Sequence, residues 1–515
     1  MQDDQYWEQF RLQPADLEHL ANHLVESERP LSLDEMAREI VSHRHEQMLN
    51  VLRTALSQGR IYRPGEMYEV GERLLFPYLN NFTGQVVTVR QGHNPEYEPF
   101  SVIQVRSDEG VAKEFVAGFP QAHPLDTASY MPSGVVDVDS IYEQYGQAIR
   151  ESLRKALSAG KQLVRVGEKW FLRELLMEIP EGQLNIAEAI LDMAGGGPVR
   201  TAQLLDEMEL PTEVGRSLQE FSLEYALLED RRFDEVGPAG YALWYLRAME
   251  PRQVLETPAP LRYVPQSYNR ELLDGVALAL ETQVDDEWSE FATVPEATDS
   301  ATIVLSYPHW RAGTLPLAPR VAGLFPTSRV TDRIRFTFVD GESGAEFPGW
   351  VVRSGRYVYG LSEWYAAHEV GVGTYIDLSR DREPGMIGIQ VRRIRSKRRE
   401  WLRTVAAEDG RFVFEVTRVP VSCEFDELAT VSVADPAAVD ALGELYRRVP
   451  LEHLLEMIFS GLAGLSLQRA VHAATLYSVV NLLRRVPPAP LLAALVSSQQ
   501  YTSLGDNYWA YKGGD

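Results

Sequence analysis

The stretch LVRVGEKWFL, residues 163–172, has an apolar run on each side of a glycine, and its first half alternates apolar and polar side chains at Val164, Arg165 and Val166. Alternation of this kind is typical of a half-buried strand, and Gly167 allows the backbone conformation of a tight turn. A run with helical apolar spacing precedes it, and Trp170 lies on the returning strand. The stretch therefore predicts a helix followed by a hairpin whose tryptophan covers the ends of neighbouring helices.

The same spacing occurs at two other places in the chain. A leucine is followed at identical intervals by two apolar residues and a glycine, in the sets Leu157, Leu163, Val166 and Gly167; Leu227, Phe233, Val236 and Gly237; and Leu495, Tyr501, Leu504 and Gly505. A tryptophan follows each set, at Trp170, Trp244 and Trp509. Three sets with one spacing predict a repeated winged helix, in which a small helical bundle ends in a β-hairpin wing.

Two further segments, RPLSLDEMAREI at 29–40 and GPVRTAQLLDEM at 197–208, predict early helices of two such units because their apolar residues share one helical face. RPLSLDEMAREIV followed by a helix and a wing resembles the winged-helix domains of bacterial transcription and chromatin-associated proteins, including the HARE-HTH type. The resemblance implies a helix-turn-helix fold that binds DNA in many members and only protein in others.

The composition limits the possible classes of protein. A chain of 515 residues that is 45% hydrophobic can form several cores. A single cysteine, Cys423, excludes an internal disulfide or a multi-cysteine metal site and fits a reducing cytoplasm. No window approaches the roughly 18 apolar residues of a membrane span, so we expect a soluble, cytoplasmic protein. The net charge of −24 repels polyanions, so contact with nucleic acid requires local basic patches.

The middle of the chain is rich in strand signals. Residues 68–105 alternate short apolar runs with turns and predict an SH3-like small barrel. Residues 301–433 resemble the B3-like DNA-binding pseudobarrel through LPLAPRVAGLFP, VDGESGAEFPGWVV and GRYVYGLSEWYAAHEVGVGTYIDL, with Trp364 and Tyr365 on the helix and Gly373 opening a strand. The sequence departs from that family at Leu361, where a tryptophan is expected, and at Thr374, where an acid is expected.

The B3 resemblance implies DNA contacts near Arg311 and near Arg353 and Arg356. The other interpretation is that these arginines lie on solvated strands. Taken together, the patterns predict an α+β multidomain protein with several winged-helix units, a small SH3-like β-barrel and a larger B3-like β-barrel. The predicted segments are an N-terminal winged-helix unit at 1–66, the SH3-like barrel at 67–130, a helix with a wing-like hairpin at 140–180, a winged helix at 181–250, a connector at 251–300, the B3-like pseudobarrel at 301–435 and a C-terminal helical or winged-helix unit at 438–515.

Two basic segments are candidates for nucleic-acid binding. The first is VRRIRSKRREWLR, where a strand and an exposed turn present Arg393, Arg395, Lys397, Arg398 and Arg399 beside Trp401. The second is SHRHEQMLNVLRTALSQGRIYRPG, a predicted recognition helix with Arg44, Gln47, Asn50 and Arg53 and a wing with Arg60 and Arg63. A charged turn that keeps a strand edge soluble explains the first segment equally well.

Other charged segments favour different roles. The third helix of the 181–250 unit exposes Glu213, Glu220 and Glu224, and the C-terminal unit has almost no positive charge, so both are expected to bind protein or pack against neighbours. The acidic run at 285–287 predicts a solvated face. No sequence pattern indicates a catalytic residue, cofactor or metal site, and Cys423 reads as a packed thiol.

The sequence therefore predicts a non-enzymatic DNA-binding regulatory or architectural protein of a prokaryotic cytoplasm, with double-stranded DNA as its partner. The alternatives are a protein-interaction scaffold and an accessory subunit of a larger complex, both without intrinsic DNA affinity. A continuous basic face favours DNA, and scattered arginines favour the scaffold.

Overall fold

The computed structural model describes residues 7, 10–79, 82–108, 110–127, 138–211, 213–238, 240, 242–273, 276–292, 298–328, 331–381, 383 and 385–512, with the side chains of 51–53, 55–58 and 276 outside that description. The protein mixes helices with several β-sheets, which confirms the α+β class. The chain forms two compact units, Met1–Glu178 with Thr212–Ser222, and Ile179–Pro211 with Leu223–Asp515.

The three predicted hairpins are present in the described part of the chain, and each belongs to a three-stranded sheet. A short strand that lies directly before an earlier helix pairs with each hairpin. The second strand of the hairpin is the middle strand of the resulting sheet. The sheets comprise Leu31–Ser32 with Leu163–Val166 and Lys169–Leu172; Val199–Arg200 with Phe233–Glu235 and Leu243–Leu246; and Ala470–His472 with Tyr501–Gly505 and Tyr508–Tyr511.

Each sheet accompanies helices in one chain order, which is helix, strand, helix, helix and hairpin. We call these groups repeats 1, 2 and 3. Their helices are Pro14–Ser27, Leu33–Gln58 and Val138–Ala159 in repeat 1; Glu181–Met193, Thr201–Asp206 and Arg216–Glu229 in repeat 2; and Leu451–Ala463, Ala473–Leu483 and Pro488–Ser497 in repeat 3. The spacing of the hairpins in the sequence therefore reflects a common order of elements.

The tryptophans occupy one register position in all three sheets. Trp170 is opposite Leu31, Trp244 is opposite Val199 and Trp509 is opposite Val471. All three indoles are buried, so each covers the junction between its sheet and its helices. The predicted turn glycine has a positive φ in repeats 1 and 3, whereas the longer turn of repeat 2 uses Gly240 instead of Gly237.

Repeat 1 is interrupted by a five-stranded sheet. This sheet consists, in spatial order, of Arg60–Ile61, Arg73–Phe76, Phe82–Gln91, Ser101–Arg106 and Ala112–Ala117. Since the strand at 31–32 pairs with the strand at 169–172, the predicted segments 1–66 and 140–180 are two parts of one repeat. Arg60 accordingly lies on the five-stranded sheet and not on a wing.

The second unit contains a seven-stranded half-barrel. Its strands are, in spatial order, Ser300–Val304, Tyr375–Arg380, Met386–Val391, Arg333–Asp340, Glu346–Val352, Tyr357–Tyr359 and Thr314–Pro316. Neighbouring strands are antiparallel except 333–340 and 386–391, which are parallel. The short helices Tyr307–Ala312 and Ser362–Ala367 lie on this sheet, and the latter buries Trp364 and Tyr365.

A long antiparallel pair follows the half-barrel. It is formed by Arg393–Glu408 and Arg411–Cys423, and we call it the β-ribbon. The exposed turn predicted directly after Arg395 is wrong, because the first strand continues there with a register shift between Arg393 and Arg398. The half of the ribbon near its own turn packs on helix Pro436–Tyr446 and on repeat 3, where Val405, Phe412 and Phe414 join the core.

The segment predicted as a connector is part of the same core. It contains helix Val276–Val284, whose Ala277, Leu280 and Val284 pack with residues of repeat 3. The acidic run that follows was expected to be solvated, but Asp285, Asp286 and Glu287 are only 4%, 1% and 3% exposed. Their charges are matched by partners from later segments, a half-exposed Arg320 for Asp285 and the buried Arg485 for Asp286 and Glu287, so the prediction of a solvated face is wrong.

Among the described helices, none is by itself long and apolar enough to cross a membrane. One pair, Ala473–Leu483 with Pro488–Ser497, reaches the required length and composition only together and is bent by 115°. Both helices lie in the core of repeat 3.

Candidate nucleic-acid interface

The half of the β-ribbon nearer the half-barrel is exposed, and we call residues 395–401 and 416–421 the exposed ribbon end. The two ribbon strands together carry eight basic and three acidic side chains, in a chain whose net charge is −24. Trp401 is 66% exposed, which is unusual for so large an apolar side chain. The basic charge and the exposed indole make this the best candidate for a binding surface among the described residues.

The pairing register brings basic and aromatic groups onto one face of the ribbon. Trp401 is directly opposite Arg418, and Arg399 is opposite Pro420. Residues that face each other across an antiparallel pair project to the same side. The Arg418 guanidinium lies 5.9 Å from the centre of the Trp401 ring. This face therefore presents two guanidinium groups beside an exposed indole.

The basic side chains of the exposed ribbon end form either exposed ion pairs or no ion pair at all among the described residues. Arg395 and Arg399 are exposed and have no hydrogen bond or ion pair to the described part of the chain. Lys397 contacts Glu369 at 2.5 Å and Arg398 contacts Glu400 at 2.5 Å, but both cations are more than half exposed. Exposed ion pairs of this kind contribute little, so a phosphate can replace the carboxylate.

Two other basic residues of the run have structural roles. Arg393 forms a fork on the Glu342 carboxylate, donates to the His368 carbonyl at 2.8 Å and lies 3.6 Å from the Cys423 sulfur. The Arg393 guanidinium holds the pKa of Glu342 below its usual value. Arg403 donates to the carbonyl oxygens of Glu427 and Leu428. Arg393 thus anchors the base of the ribbon and is not available to DNA.

The arginines implied by the B3 resemblance are engaged within the second unit. Arg311 binds the Asp440 carboxylate through two nitrogens at 3.0 and 2.7 Å. Arg353 donates to the carbonyl oxygens of Ser328 and Thr331. Arg356 donates to the Glu287 carbonyl at 3.2 Å and covers the Trp288 ring at 4.4 Å. None of the three is a free cation in the way that Arg395 and Arg399 are.

The described side chains of the predicted recognition helix of repeat 1 do not form a basic face. Arg44 is 6% exposed and pairs with the buried Asp16 carboxylate, which contradicts its predicted contact with DNA. Gln47 and Asn50 are exposed, and the Gln47 amide lies 2.7 Å from the His43 ring. The Arg53 side chain lies outside the described residues. Arg60 pairs with Glu66 and Glu72, and Arg63 is half-buried.

The sequence reasoning missed a second basic segment in repeat 1. The helix directly before the hairpin is Val138–Ala159 and not the helix at 33–58, because the five-stranded sheet separates them. Residues 154–173, which we call the basic segment of repeat 1, contain six basic residues and one acidic residue. Arg154, Lys155, Lys161 and Lys169 are all exposed. The charge pattern was readable in the sequence, but its position after a third helix was not.

The corresponding helix of repeat 3 is covered, and that of repeat 2 is partly buried. Every residue from Pro488 to Leu495 is buried, so the third helix of repeat 3 has no open face. In repeat 2, the Glu224 carboxylate accepts a hydrogen bond from Thr201 at 2.8 Å, and Glu220 is half-buried, although both were predicted to be exposed. Glu213 is exposed as predicted. These two helices act in packing.

A second cluster of charged groups lies inside the second unit. The Arg485 guanidinium binds Asp286 at 2.6 Å and Glu287 at 3.0 Å, and His309 lies 3.0 Å from Glu287. Although burial opposes it, Arg485 and His309 lower the pKa of Glu287 to about 2. Burial raises the pKa of Asp285 to about 6 despite its pairing with Arg320. We call Asp285, Asp286, Glu287, His309 and Arg485 the buried charge network.

The buried charge network is structural. Each of its charged groups has a partner within the fold, and a cavity of about 190 Å³ beside it is lined by Glu281, Asp285, Asp286 and Arg320. No group of three His, Cys, Asp or Glu residues in the described ranges is arranged to hold a metal ion. The network joins the segment after helix 276–284 to the half-barrel and to repeat 3.

Comparisons with protein-family models, with curated proteins and with solved structures gave no match for this chain.

Proposed function

We propose that this chain is a non-enzymatic DNA-binding protein, regulatory or architectural, in which the three repeats are winged-helix units, the five-stranded sheet is an SH3-like barrel and the half-barrel is a B3-like domain. The observation that carries the proposal is the exposed ribbon end, where Arg395 and Arg399 are unpaired and Trp401 and Arg418 share a face. The order of elements in each repeat supports the winged-helix assignment.

The contact is electrostatic in origin. Guanidinium groups that neutralise phosphates release counterions, and this release drives binding that does not depend on sequence. A two-stranded ribbon fits the major groove, and the indole provides an apolar surface for bases or sugars. The acidic remainder of the chain repels the duplex, so the ribbon end would face the DNA with the acidic bulk turned away.

The basic segment of repeat 1 supports a second contact. Its four exposed cations lie in the first unit, whereas the ribbon lies in the second. Two weak sites on one chain raise each other's effective concentration, so their combined affinity exceeds that of either site. Replacing Lys155, Lys161 and Lys169 by alanine should therefore weaken binding without abolishing it.

The test is fluorescence anisotropy with a labelled duplex of random sequence. We expect a Kd in the micromolar range at about 50 mM salt, weakened about 100-fold at about 200 mM if four phosphates are neutralised. The triple variant Arg395→Ala, Arg399→Ala, Arg418→Ala should lose most of this affinity and show a shallower salt dependence. Arg393 stays unchanged because it anchors the ribbon.

The matched control removes three exposed arginines elsewhere in the second unit, Arg252, Arg262 and Arg447. It lowers the net charge by the same amount, so its affinity should stay close to that of the wild type. Absence of binding at low salt, or an equal loss in the control, would refute the ribbon as a DNA site.

The second candidate function is a protein-interaction scaffold, or an accessory subunit without DNA affinity. The specific observation in its favour is that the third helix of repeat 3 is covered and that of repeat 2 is mainly acidic, so neither helix presents a basic face to DNA. On this alternative the ribbon end would bind an acidic partner protein, and the duplex would not bind at any salt concentration.

A further inference from the structure

A cavity of about 410 Å³ lies beside the exposed ribbon end. Ribbon residues Trp401, Arg403 and Val416 form one side, and His472, Thr475 and Tyr508 of repeat 3 form another. Its volume falls within the range of sites for small ligands. Because Arg399 and Arg418 share a ribbon face with Trp401, the cavity opens beside these two basic side chains.

The lining suits a flat ligand with polar edges. Trp401 is open to solvent at 66% exposure, and Tyr508 is 40% exposed with its ring edge-on to His472 at 4.8 Å. Thr475 supplies a hydroxyl that already donates to the Leu428 carbonyl at 2.8 Å. Aromatic rings with polar groups nearby are what base stacking with edge recognition requires.

Arg403 fixes one side of this lining. Its Nη2 atom donates to the carbonyl oxygens of Glu427 and Leu428, and both of these residues line the cavity. These hydrogen bonds hold the ribbon strand to the 427–428 segment, so the wall of the cavity beside Trp401 is formed before a ligand enters.

The cavity has acidic side chains in its lining and basic side chains at its mouth, so it favours a neutral group inside and a phosphate outside. Glu400 and Glu427 line the cavity and repel a phosphate from its interior. Arg399 and Arg418 lie on the same ribbon face as Trp401 and can hold phosphates at the mouth. A neutral base therefore fits the interior, and its flanking backbone fits the rim.

We infer that this cavity takes one unpaired nucleobase from a nucleic acid whose backbone lies along the exposed ribbon end. This inference rests on the proposed DNA binding and narrows its substrate class. A base must leave its stack to enter, and this costs least where it is already unpaired. The protein should therefore prefer DNA with a bulged base over a continuous duplex, by about 10-fold for one stacked base.

The experiment compares two duplexes that have the same base pairs. One is continuous, and the other carries a single additional 2-aminopurine as a bulge. Anisotropy measures the affinity for each, and 2-aminopurine fluorescence reports whether the base changes its environment. We expect tighter binding of the bulged duplex and a fluorescence change on binding. Trp401→Ala and Tyr508→Ala should each reduce the preference, whereas Trp401→Phe should retain much of it.

Tyr97→Ala is the matched control, because it removes a partly exposed aromatic ring from the first unit. It should leave the preference unchanged. Trp401 is mainly exposed, so its variants should fold, and circular dichroism checks this.

Equal affinity for the two duplexes, with steep salt dependence retained, would overturn the inference and leave DNA binding standing. No binding to either duplex would overturn both. A preference that survives Trp401→Ala and Tyr508→Ala together would also overturn the assignment of the cavity.

Discussion

Replacing Arg485 by methionine removes the central cation of the buried charge network. The Arg485 side chain is 1% exposed, and the Asp286 and Glu287 side chains that it binds are 0% and 2% exposed. These carboxylates come from the segment after helix 276–284, whereas Arg485 lies between the second and third helices of repeat 3. The substitution keeps an unbranched apolar stem but removes the guanidinium, and it leaves two buried carboxylates without their cation.

The expected loss follows from these contacts. Removing one partner of a buried ion pair destabilises a protein by about 3–5 kcal/mol, because the remaining charge is neither solvated nor paired. Two carboxylates are affected, but Asp286 keeps the Tyr477 hydroxyl at 2.6 Å and Glu287 keeps His309. We therefore expect about 4 kcal/mol, which at about 2.1 cal/mol/K per residue lowers Tm by roughly 6 °C for a unit as long as the second one.

Thermal unfolding followed by circular dichroism measures this loss, and urea unfolding gives its free energy. Adding Asp286→Asn and Glu287→Gln to Arg485→Met should restore most of the stability, since the variant then buries no unpaired charge. Arg447→Met is the control: it breaks an ion pair with Glu444 in which both side chains are about two-thirds exposed, and should cost less than about 0.5 kcal/mol. A loss below about 1 kcal/mol for Arg485→Met, or no recovery in the triple variant, would refute the proposed burial of these charges.

Three further substitutions test separate parts of the fold. Burial raises the pKa of Asp285 to about 6 in the folded protein, so between about pH 4 and pH 6 the folded state keeps a proton that the unfolded state releases. The stability of the wild type therefore falls as the pH rises from about 4 to about 6. Asp285→Asn removes this dependence, so its free energy of unfolding relative to the wild type should rise by about 2–3 kcal/mol over this range, seen as a shift in the urea midpoint. Gly443→Ala places a Cβ 2.8 Å from the Leu483 carbonyl oxygen, so we expect a loss of about 1–3 kcal/mol by urea unfolding, and an unchanged midpoint would contradict the close helix contact. Ser32→Ala removes the hydroxyl that accepts from the Glu35 amide and donates to the Glu35 carboxylate, and should cost about 1 kcal/mol, whereas Ser32→Thr keeps the hydroxyl and should keep most of the stability.

The hairpins were predictable because their signals are local. The alternation, the turn glycine and the returning tryptophan of repeat 1 lie within ten residues, and all three hairpins form where the spacing placed them. The third strand of each sheet was not predicted. Leu31–Ser32 is too short to show alternation. It pairs with residues 169–170, which follow the five-stranded sheet in the chain. Nothing in the local pattern indicates that a strand must be assembled from such distant segments.

The acidic run at 285–287 was misinterpreted because its partners are distant in the sequence. Three adjacent carboxylates normally indicate a solvated surface, because burying one charge without a partner is prohibitive. The partner of Asp286 is Arg485, which lies 199 residues later, and no spacing connects the two. Arg44 was misassigned for the same reason: its position on a polar helix face indicated exposure, but its partner Asp16 comes from the preceding helix.

The positions of the arginines, more than their number, determine which of them can neutralise phosphates. Several of the predicted site arginines contact carboxylates or carbonyls inside the fold, as Arg44 does with Asp16, Arg311 with Asp440 and Arg393 with Glu342. A cation that is already paired in this way must break that contact before it neutralises a phosphate, so it adds little to binding. Arg395 and Arg399 have no such contact to break, and Arg399 shares a ribbon face with the one large indole that is mainly exposed among the described residues. Binding energy should therefore be concentrated in a few residues of the ribbon, which makes the three-residue variant a stringent test of the function.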